Sequence, residues 1–486
     1  MADPSSSAPQ FSVLILAAGK ATRFKSEHTK VLHRLAGRRL GDYVLQAAFG
    51  AGPERAYMVI GHEAERVREA FARPGLEFIG QREQRGTGDA VMCSRPELEK
   101  CPSPSLIVLV GDAPLLGAET LRGLAEFHQQ SGAAATVLTT RLKKPEGYGR
   151  ILRAPGARVR AIVEEKDATP AEKRLGEISS GILCFSLPKL LAHLDDLTDT
   201  NSQKEFLLTD MARIFNRRRL KVMAYPVTNS REVLGVNDRA ELAQVERIIR
   251  RRKAQELMRS GVSIVDPKTA VIDDEVEAGR DTRVEAGVHL LGRTRLGKDC
   301  VVEPYCLISN STVGDKVSLR PFSMVSGCEI GSGAVIGPFA HLRDGAVIGQ
   351  ETRIGNFVEV KKSSVGRGSK SAHLAYIGNA TLGEKVNIGA GAVTCNYDGQ
   401  RKNPTVIEDN VFIGSGSMLV APVRVGKGAY VAAGSTVTED VPPGSLAIGR
   451  ARQVNKNDWA KGRPKKETAK NAAASAGEPN RPEKAD

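Results

Sequence analysis

At 486 residues the chain is too long for one ordinary core, and two to four domains are expected. An apolar fraction of 41% and a charged fraction of 26% fit a globular protein, and no apolar run approaches the ~20 residues that span a bilayer. The net charge of +14 permits nucleic-acid binding, but no aromatic-interleaved basic motif accompanies it, so neither nucleic acid nor membrane is expected as a partner. Multiply phosphorylated small substrates explain a basic surface equally well. The seven cysteines are scattered, without C-x-x-C spacing, and the opening MADPSSSAPQ has neither a basic n-region nor an apolar h-region. A cytoplasmic location is expected from both.

Residues 1–10 are polar and expected to be disordered. Across 11–236, short apolar strands alternate with helical stretches, as in SVLILAAG, RAYMVIG, SLIVLVGD, AAATVLTT and GILCFS. That alternation predicts βαβ units and a mostly parallel, Rossmann-like α/β sheet. Residues 237–262 follow with NDRAELAQVERIIRRRKAQELMRS, free of Gly and Pro, with Leu242, Val245 and Ile249 on one helical face. The pattern predicts a long amphipathic linker helix ended by Gly261.

Over 263–458 the period changes to six. Ile330, Ile336, Leu342, Ile348, Ile354 and Val360 form one run, and Ile407, Ile413, Leu419, Val425, Val431 and Val437 another. Each hexad reads as a short strand and a turn, three hexads as one triangular coil, and the apolar residue as its inward-facing member. The final residues, 459–486, are nearly devoid of large apolar side chains and are expected to be disordered.

In the first domain, Leu16-Ala17-Ala18-Gly19 begins a small-residue loop after a buried strand, where backbone N–H groups can approach phosphates. Arg23 and Lys30 add positive charge. Taken alone, the loop is equally a tight strand-to-helix turn. Asp112 ends the apolar run Leu106–Val110 after a glycine, which places its carboxylate at the carboxyl edge of the sheet, where ligands of open α/β folds bind. A carboxylate there can hold Mg²⁺ beside an amide oxygen, although an isolated Asp after a strand is commonly a turn residue.

LAAGKATRF followed by KVLHRLAG, Gln81 with RGTG, LVGDAPLL, GYGR, VEEKDAT and GVN resemble the signature of sugar-1-phosphate nucleotidyltransferases. The resemblance implies that Leu16, Ala17, Ala18, Gly19, Gln81, Gly86 and Thr87 hold the uridine of UTP. Arg23 and Lys30 would act on the triphosphate and take part in catalysis. Gly149, Glu164, Ser179 and Asn237 would hold N-acetylglucosamine-1-phosphate, with Asp112 and Asn237 as the Mg²⁺ ligands. Ala21 stands where that motif has Gly, and Ser179 where it has a longer-reaching Asn.

In the second domain, acetyl transfer to an amine would need a base for the ammonium proton and donors for the thioester oxyanion. His373, in KSAHLAYIG, falls where the hexad phase is lost, and a lone His on such a face is more often a surface or packing residue. GNFVEVKK, GSKSAHLAYIG, VNIGAGAVTCNYDGQRKNPT and FIGSGSMLVAPV nevertheless resemble one family: the bifunctional N-acetylglucosamine-1-phosphate uridylyltransferase/glucosamine-1-phosphate acetyltransferases.

This resemblance spans roughly 11–458 and implies a left-handed parallel β-helix that trimerises about its axis. His373 would be the general base, while Arg343, Lys361, Tyr376, Asn387 and Lys402 would hold glucosamine-1-phosphate. Ala390, Asn396, Tyr397, Ser415, Ala433 and Arg450 would hold acetyl-CoA. Asn396 and Tyr397 lie in a break between hexad runs, 395–406, which reads as a projecting loop. Two rival readings are a nucleotidyltransferase whose β-helix is only an oligomerisation platform, and a non-catalytic assembly subunit that keeps both folds.

Overall fold

The computed structural model describes residues 9–463, so the disorder expected near the two ends falls largely outside the described residues. The first domain is built on a seven-strand path running Val222–Pro226, Ala135–Arg141, Glu177–Ser186, Ser105–Val110, Phe11–Leu16, Ala56–Ile60 and Leu76–Gly80. All neighbours are parallel except Glu177–Ser186, which runs antiparallel to both of its partners. Phe11–Leu16 and Ser105–Val110 are apolar almost without interruption because helices cover both faces of the sheet. Two separate buried clusters result, one on each side. The two strands pair from Phe11↔Ser105 to Leu16↔Val110. Their carboxyl ends are therefore side by side, and the loops that follow share one edge.

The linker is the helix Arg239–Arg259. Asp238 caps it by accepting from the N–H groups of Ala240 and Glu241, both at 2.8 Å. Val245 and Ile249 pack with Phe24, Leu35 and Leu40 of the first domain, whereas Ala254 and Leu257 enter the core of the second. One apolar stripe thus seats the helix on both domains. Gly261, at φ +101°, turns the chain out of it. Arg38 to Asp274 at 2.9 Å ties the first domain to the second, and Arg250 to Asp273 at 3.3 Å ties the linker helix to the second.

The second domain is a left-handed parallel β-helix of three sheets with eleven, ten and nine strands. Each coil contributes one two- or three-residue strand to each face. On the first face, Val302, Leu319, Ile336, Ile354, Ser371, Ile388 and Ile413 stack in register, one per coil, and point inward. Glycine follows many of the aliphatic residues for a steric reason: a Cβ on Gly349 would come within 2.7 Å of the Arg367 nitrogen in the next coil. The period slips from six to five at Ile308–Val313, Val325–Ile330 and Val360–Val365. Two polar residues, Ser371 and Thr394, also occupy inward places, at 2% and 4% exposure.

Candidate active sites

The first site is a cleft of about 490 Å³ at the carboxyl edge of the sheet. Leu16, Ala17, Ala18, Gly19, Arg23, Lys30, Gln81, Gly86, Thr87, Asp112 and Asn237 all line it. Gly111 donates its N–H to Leu16 O at 2.9 Å, which fixes the Asp112 turn against the small-residue loop. Val236 donates to Asp112 O at 3.0 Å, so Asn237 arrives beside Asp112 although 125 residues separate them.

A Cβ on Gly235 would lie 3.8 Å from both Asn237 Nδ2 and Asp112 Oδ1, so the two side chains converge on one point. The Lys30 ammonium sits between them, 2.5 Å from Asp112 Oδ2 and 3.4 Å from Asn237 Oδ1. Arg23 donates to Asn237 Oδ1 at 2.9 Å. These oxygens already attract a cation. One carboxylate and one amide oxygen suit Mg²⁺, which keeps water and phosphate oxygens in its remaining positions. Among the described residues no group of three or more His, Cys, Asp or Glu forms a closed metal cage.

Beside this cleft, Gly149, Glu164 and Ser179 meet. Ser179 donates its N–H to Gly149 O at 2.8 Å. A Cβ on Gly149 would press on Ile162 Cγ2 at 3.1 Å and lie against both Glu164 carboxylate oxygens at 3.5 Å, which places the glycine backbone directly beside that carboxylate. Burial pushes the Glu164 carboxyl above the usual range, opposed by the hydroxyl of Thr209, which donates to Oε1 at 2.8 Å. Ser179 is 5% exposed, and its Oγ is turned back to accept from the Gly181 N–H at 3.3 Å.

Three neighbours were not singled out by sequence reasoning. Burial, with the Glu241 and Asp112 carboxylates, raises the Tyr148 phenol, against the lowering influence of the Gly235 N–H. Arg150 is 1% exposed and pairs with Glu165 at 2.7 Å, locking the Gly149 turn from behind. The GYGR segment was the available signal for the first two. Thr209 carries none, because only the fold brings it to Glu164.

The second site follows one corner of the β-helix, between its first and second faces. Gly391 donates its N–H to His373 O at 2.9 Å, Gly416 to Ala390 O at 2.7 Å, and Gly434 to Ser415 O at 2.8 Å. His373, Ala390, Ser415 and Ala433 therefore form a single column, one per coil, about 14 Å long at ordinary strand spacing. Arg450 lies above it, its Cδ 3.9 Å from where a Cβ on Gly434 would be. His373 is exposed and adopts a left-handed conformation at φ +62°, which points its side chain outward from the corner.

On the second face, Arg343 and Lys361 are direct register partners, and Tyr376 is the partner of Glu359. Asp344 contacts Arg343 at 3.1 Å and Lys361 at 3.5 Å, and Glu359 holds Arg343 Nε at 2.8 Å. Lys402 returns on a loop closed by a bridge between Tyr397 and Lys402. The Lys361 ammonium beside it holds Lys402 below the ordinary lysine range. Crowded cations of this kind favour an anion such as phosphate.

Asn387 is not in this group within one chain. It faces outward from the first face, in register with Lys370 and Phe412. The loop is shorter than expected, because strands Val393–Cys395 and Thr405–Ile407 take up both of its ends. Within it, Asn396 is 6% exposed and donates to Asn379 Oδ1 at 2.8 Å, whereas Tyr397 projects at 60% exposure. Among the described residues no helix is long and apolar enough to cross a membrane.

Three family models match the chain. A MobA-like NTP transferase domain covers residues 13–261, a GMPPB C-terminal domain covers 261–393, and bacterial transferase hexapeptide repeats cover 404–439. The bifunctional protein GlmU of Koribacter versatilis is 48% identical over 455 residues, covering 93% of this chain and 97% of the relative. Those of Pelobacter propionicus and Synechococcus elongatus are 47% and 46% identical, each covering 92% of this chain, and 97% and 98% of their own lengths. With both domains and nearly the full length matched, the chain belongs to the GlmU family of bifunctional proteins, a nucleotidyltransferase joined to a hexapeptide-repeat acetyltransferase.

Proposed function

We propose that the chain makes UDP-N-acetylglucosamine in two steps: acetylation of glucosamine-1-phosphate on the β-helix, then uridylylation of the product in the first domain. The observation that carries the second step is the convergence of Asp112 and Asn237 around the Lys30 ammonium at the sheet edge where the nucleotide loop lies. Arg343, Lys361 and Lys402 grip the acceptor phosphate in the first step.

His373 takes a proton from the sugar ammonium, and the freed nitrogen lone pair attacks the thioester carbonyl of acetyl-CoA. The C–N bond forms and the C–S bond breaks. The nitrogen sheds its second proton as the amide forms; one of the two protons goes to the departing CoA sulfur to give the thiol, and the other passes through His373 to solvent. No covalent enzyme intermediate is needed. In the second step a sugar-phosphate oxygen attacks the α-phosphorus of UTP in line, and pyrophosphate departs. Arg23 and Lys30 neutralise charge on the triphosphate, while Gly149 and Glu164 orient the sugar. Mg²⁺ held by Asp112 and Asn237 supplies further charge neutralisation when bound.

The protein is read as a cytoplasmic homotrimer that associates through its β-helices, with no nucleic-acid or membrane partner. Asn387 supports this, since it stands apart from the other acceptor residues of its own chain, in register with Lys370 and Phe412, and is free to complete a neighbour's site. An Asp112→Asn variant given glucosamine-1-phosphate, acetyl-CoA, UTP and Mg²⁺ should accumulate N-acetylglucosamine-1-phosphate, with uridylylation lowered by ~10²–10³. Normal UDP-sugar formation by that variant would remove the first domain's site from this account.

A further inference from the structure

The corner that carries His373 changes character at one residue. In four successive coils below it, the position after the column residue is aromatic: Tyr305, Phe322, Phe339 and Phe357, all with φ between +54° and +61°. Their rings stack at 5.3, 5.2 and 5.2 Å between centroids and stand 46–60% exposed. Above His373 the same position is Gly391, Gly416 and Gly434, at φ +68°, +68° and +71°. A Cβ on Gly391 would be 3.9 Å from Gly416, and one on Gly416 would be 3.9 Å from Gly434, so this stretch is bare backbone in register. One corner is thus a ridge of rings below and a smooth trough above.

Leu374 stands at the step between them. It follows His373 directly, donates its N–H to Asn356 O at 3.3 Å in the coil that carries Phe357, and projects outward at 70% exposure. We propose that Leu374, backed by Phe357, is the end wall of the acyl-CoA trough and restricts the transferred group to acetyl. This rests on the reading of His373 and its column as the acetyl-transfer site. The donor lies along Ala433, Ser415 and Ala390, and its acyl end meets the Leu374 side chain where the carbonyl reaches His373. A longer acyl chain enters the space that Leu374 fills. Transfer of any acyl group is otherwise the same exchange of a C–S for a C–N bond.

The test compares kcat/KM for acetyl-, propionyl- and butyryl-CoA with glucosamine-1-phosphate as acceptor, using wild type, Leu374→Gly and Leu374→Phe. Glycine is at ease in this left-handed conformation, and phenylalanine already occupies the equivalent corners below, so both variants retain the backbone. Leu374→Gly should raise the propionyl-to-acetyl ratio roughly 10-fold or more, the discrimination one methylene commands in an apolar pocket. Leu374→Phe should lower it, and uridylyl transfer should be unchanged in both.

A ratio unaltered in both variants while acetyl transfer persists overturns the proposal. So does loss of all acyl transfer in both variants with unchanged melting, because Leu374 would then serve the reaction itself. A wild type that transfers no acetyl group fails the underlying reading instead.

Discussion

Ser371 and Thr394 both interrupt the aliphatic stack of the β-helix, and replacing them should shift stability in opposite directions. The Ser371 hydroxyl is buried with no hydrogen-bond partner. Ser371→Ala removes a desolvated polar group that makes nothing in return, which should stabilise the domain by about 1 kcal/mol. Thr394 Oγ1 accepts from the buried Gly378 N–H at 2.8 Å and donates to Gly378 O at 3.1 Å. Thr394→Val keeps the shape but leaves that N–H without a partner, costing about 1–3 kcal/mol. For a domain near 200 residues, each kcal/mol moves the midpoint by about 2–4 °C. Calorimetry of the full chain, following the β-helix transition, should therefore show Ser371→Ala about 3 °C higher and Thr394→Val about 3–10 °C lower. A destabilised Ser371→Ala, or a neutral Thr394→Val, would refute this reasoning about which hydroxyl is satisfied.

At the nucleotide loop, Gly86 has φ +114°, and an added Cβ would collide with the Phe206 backbone, whose nitrogen would be 2.9 Å away. Gly86→Ala should displace the 205–206 segment and raise KM for UTP at least 10-fold, read from uridylyl kinetics, with acetyl transfer unaffected. The Glu164 carboxyl is raised by burial, so between the ordinary glutamate value and the raised one the native state binds more protons than the unfolded. Stability should fall as pH rises through that window, and Glu164→Gln should flatten the slope in denaturant titrations while raising KM for the sugar phosphate. Lys361→Met removes the cation that depresses Lys402 and one member of the phosphate clamp. Steady-state acetyl transfer should show KM for glucosamine-1-phosphate raised about 10-fold or more, a loss of the size expected for a charge-assisted contact.

Much of this architecture was legible because its signals are periodic or local. The uninterrupted apolar runs of Phe11–Leu16 and Ser105–Val110 announce buried parallel strands. The glycine before Asp112 marks a strand end, and the hexads from Ile330 to Val360 specify a coil. The antiparallel direction of Glu177–Ser186 was not legible, because a strand buried on both faces reads alike in either direction. The phase around His373 was lost for a traceable reason: Val360–Val365 is one residue short, and Ser371 and Thr394 stand where an aliphatic residue is expected. Ala21 departs from its motif yet still adopts the left-handed conformation, at φ 53°, so the loop keeps its path at the cost of a strained backbone. The alignment of His373 with Ala390, Ser415 and Ala433 required the coil register, since loop residues 396–404 offset the numbering between the runs.

The most direct test of two separable sites is a mass-resolved assay of wild type beside His373→Ala, supplied with acetyl-CoA, UTP and Mg²⁺ and with either glucosamine-1-phosphate or its N-acetylated form. The account predicts that wild type makes UDP-N-acetylglucosamine from both sugars, while His373→Ala does so only from the acetylated one. A wild type that itself requires the pre-acetylated sugar would contradict the account and leave the β-helix as a scaffold.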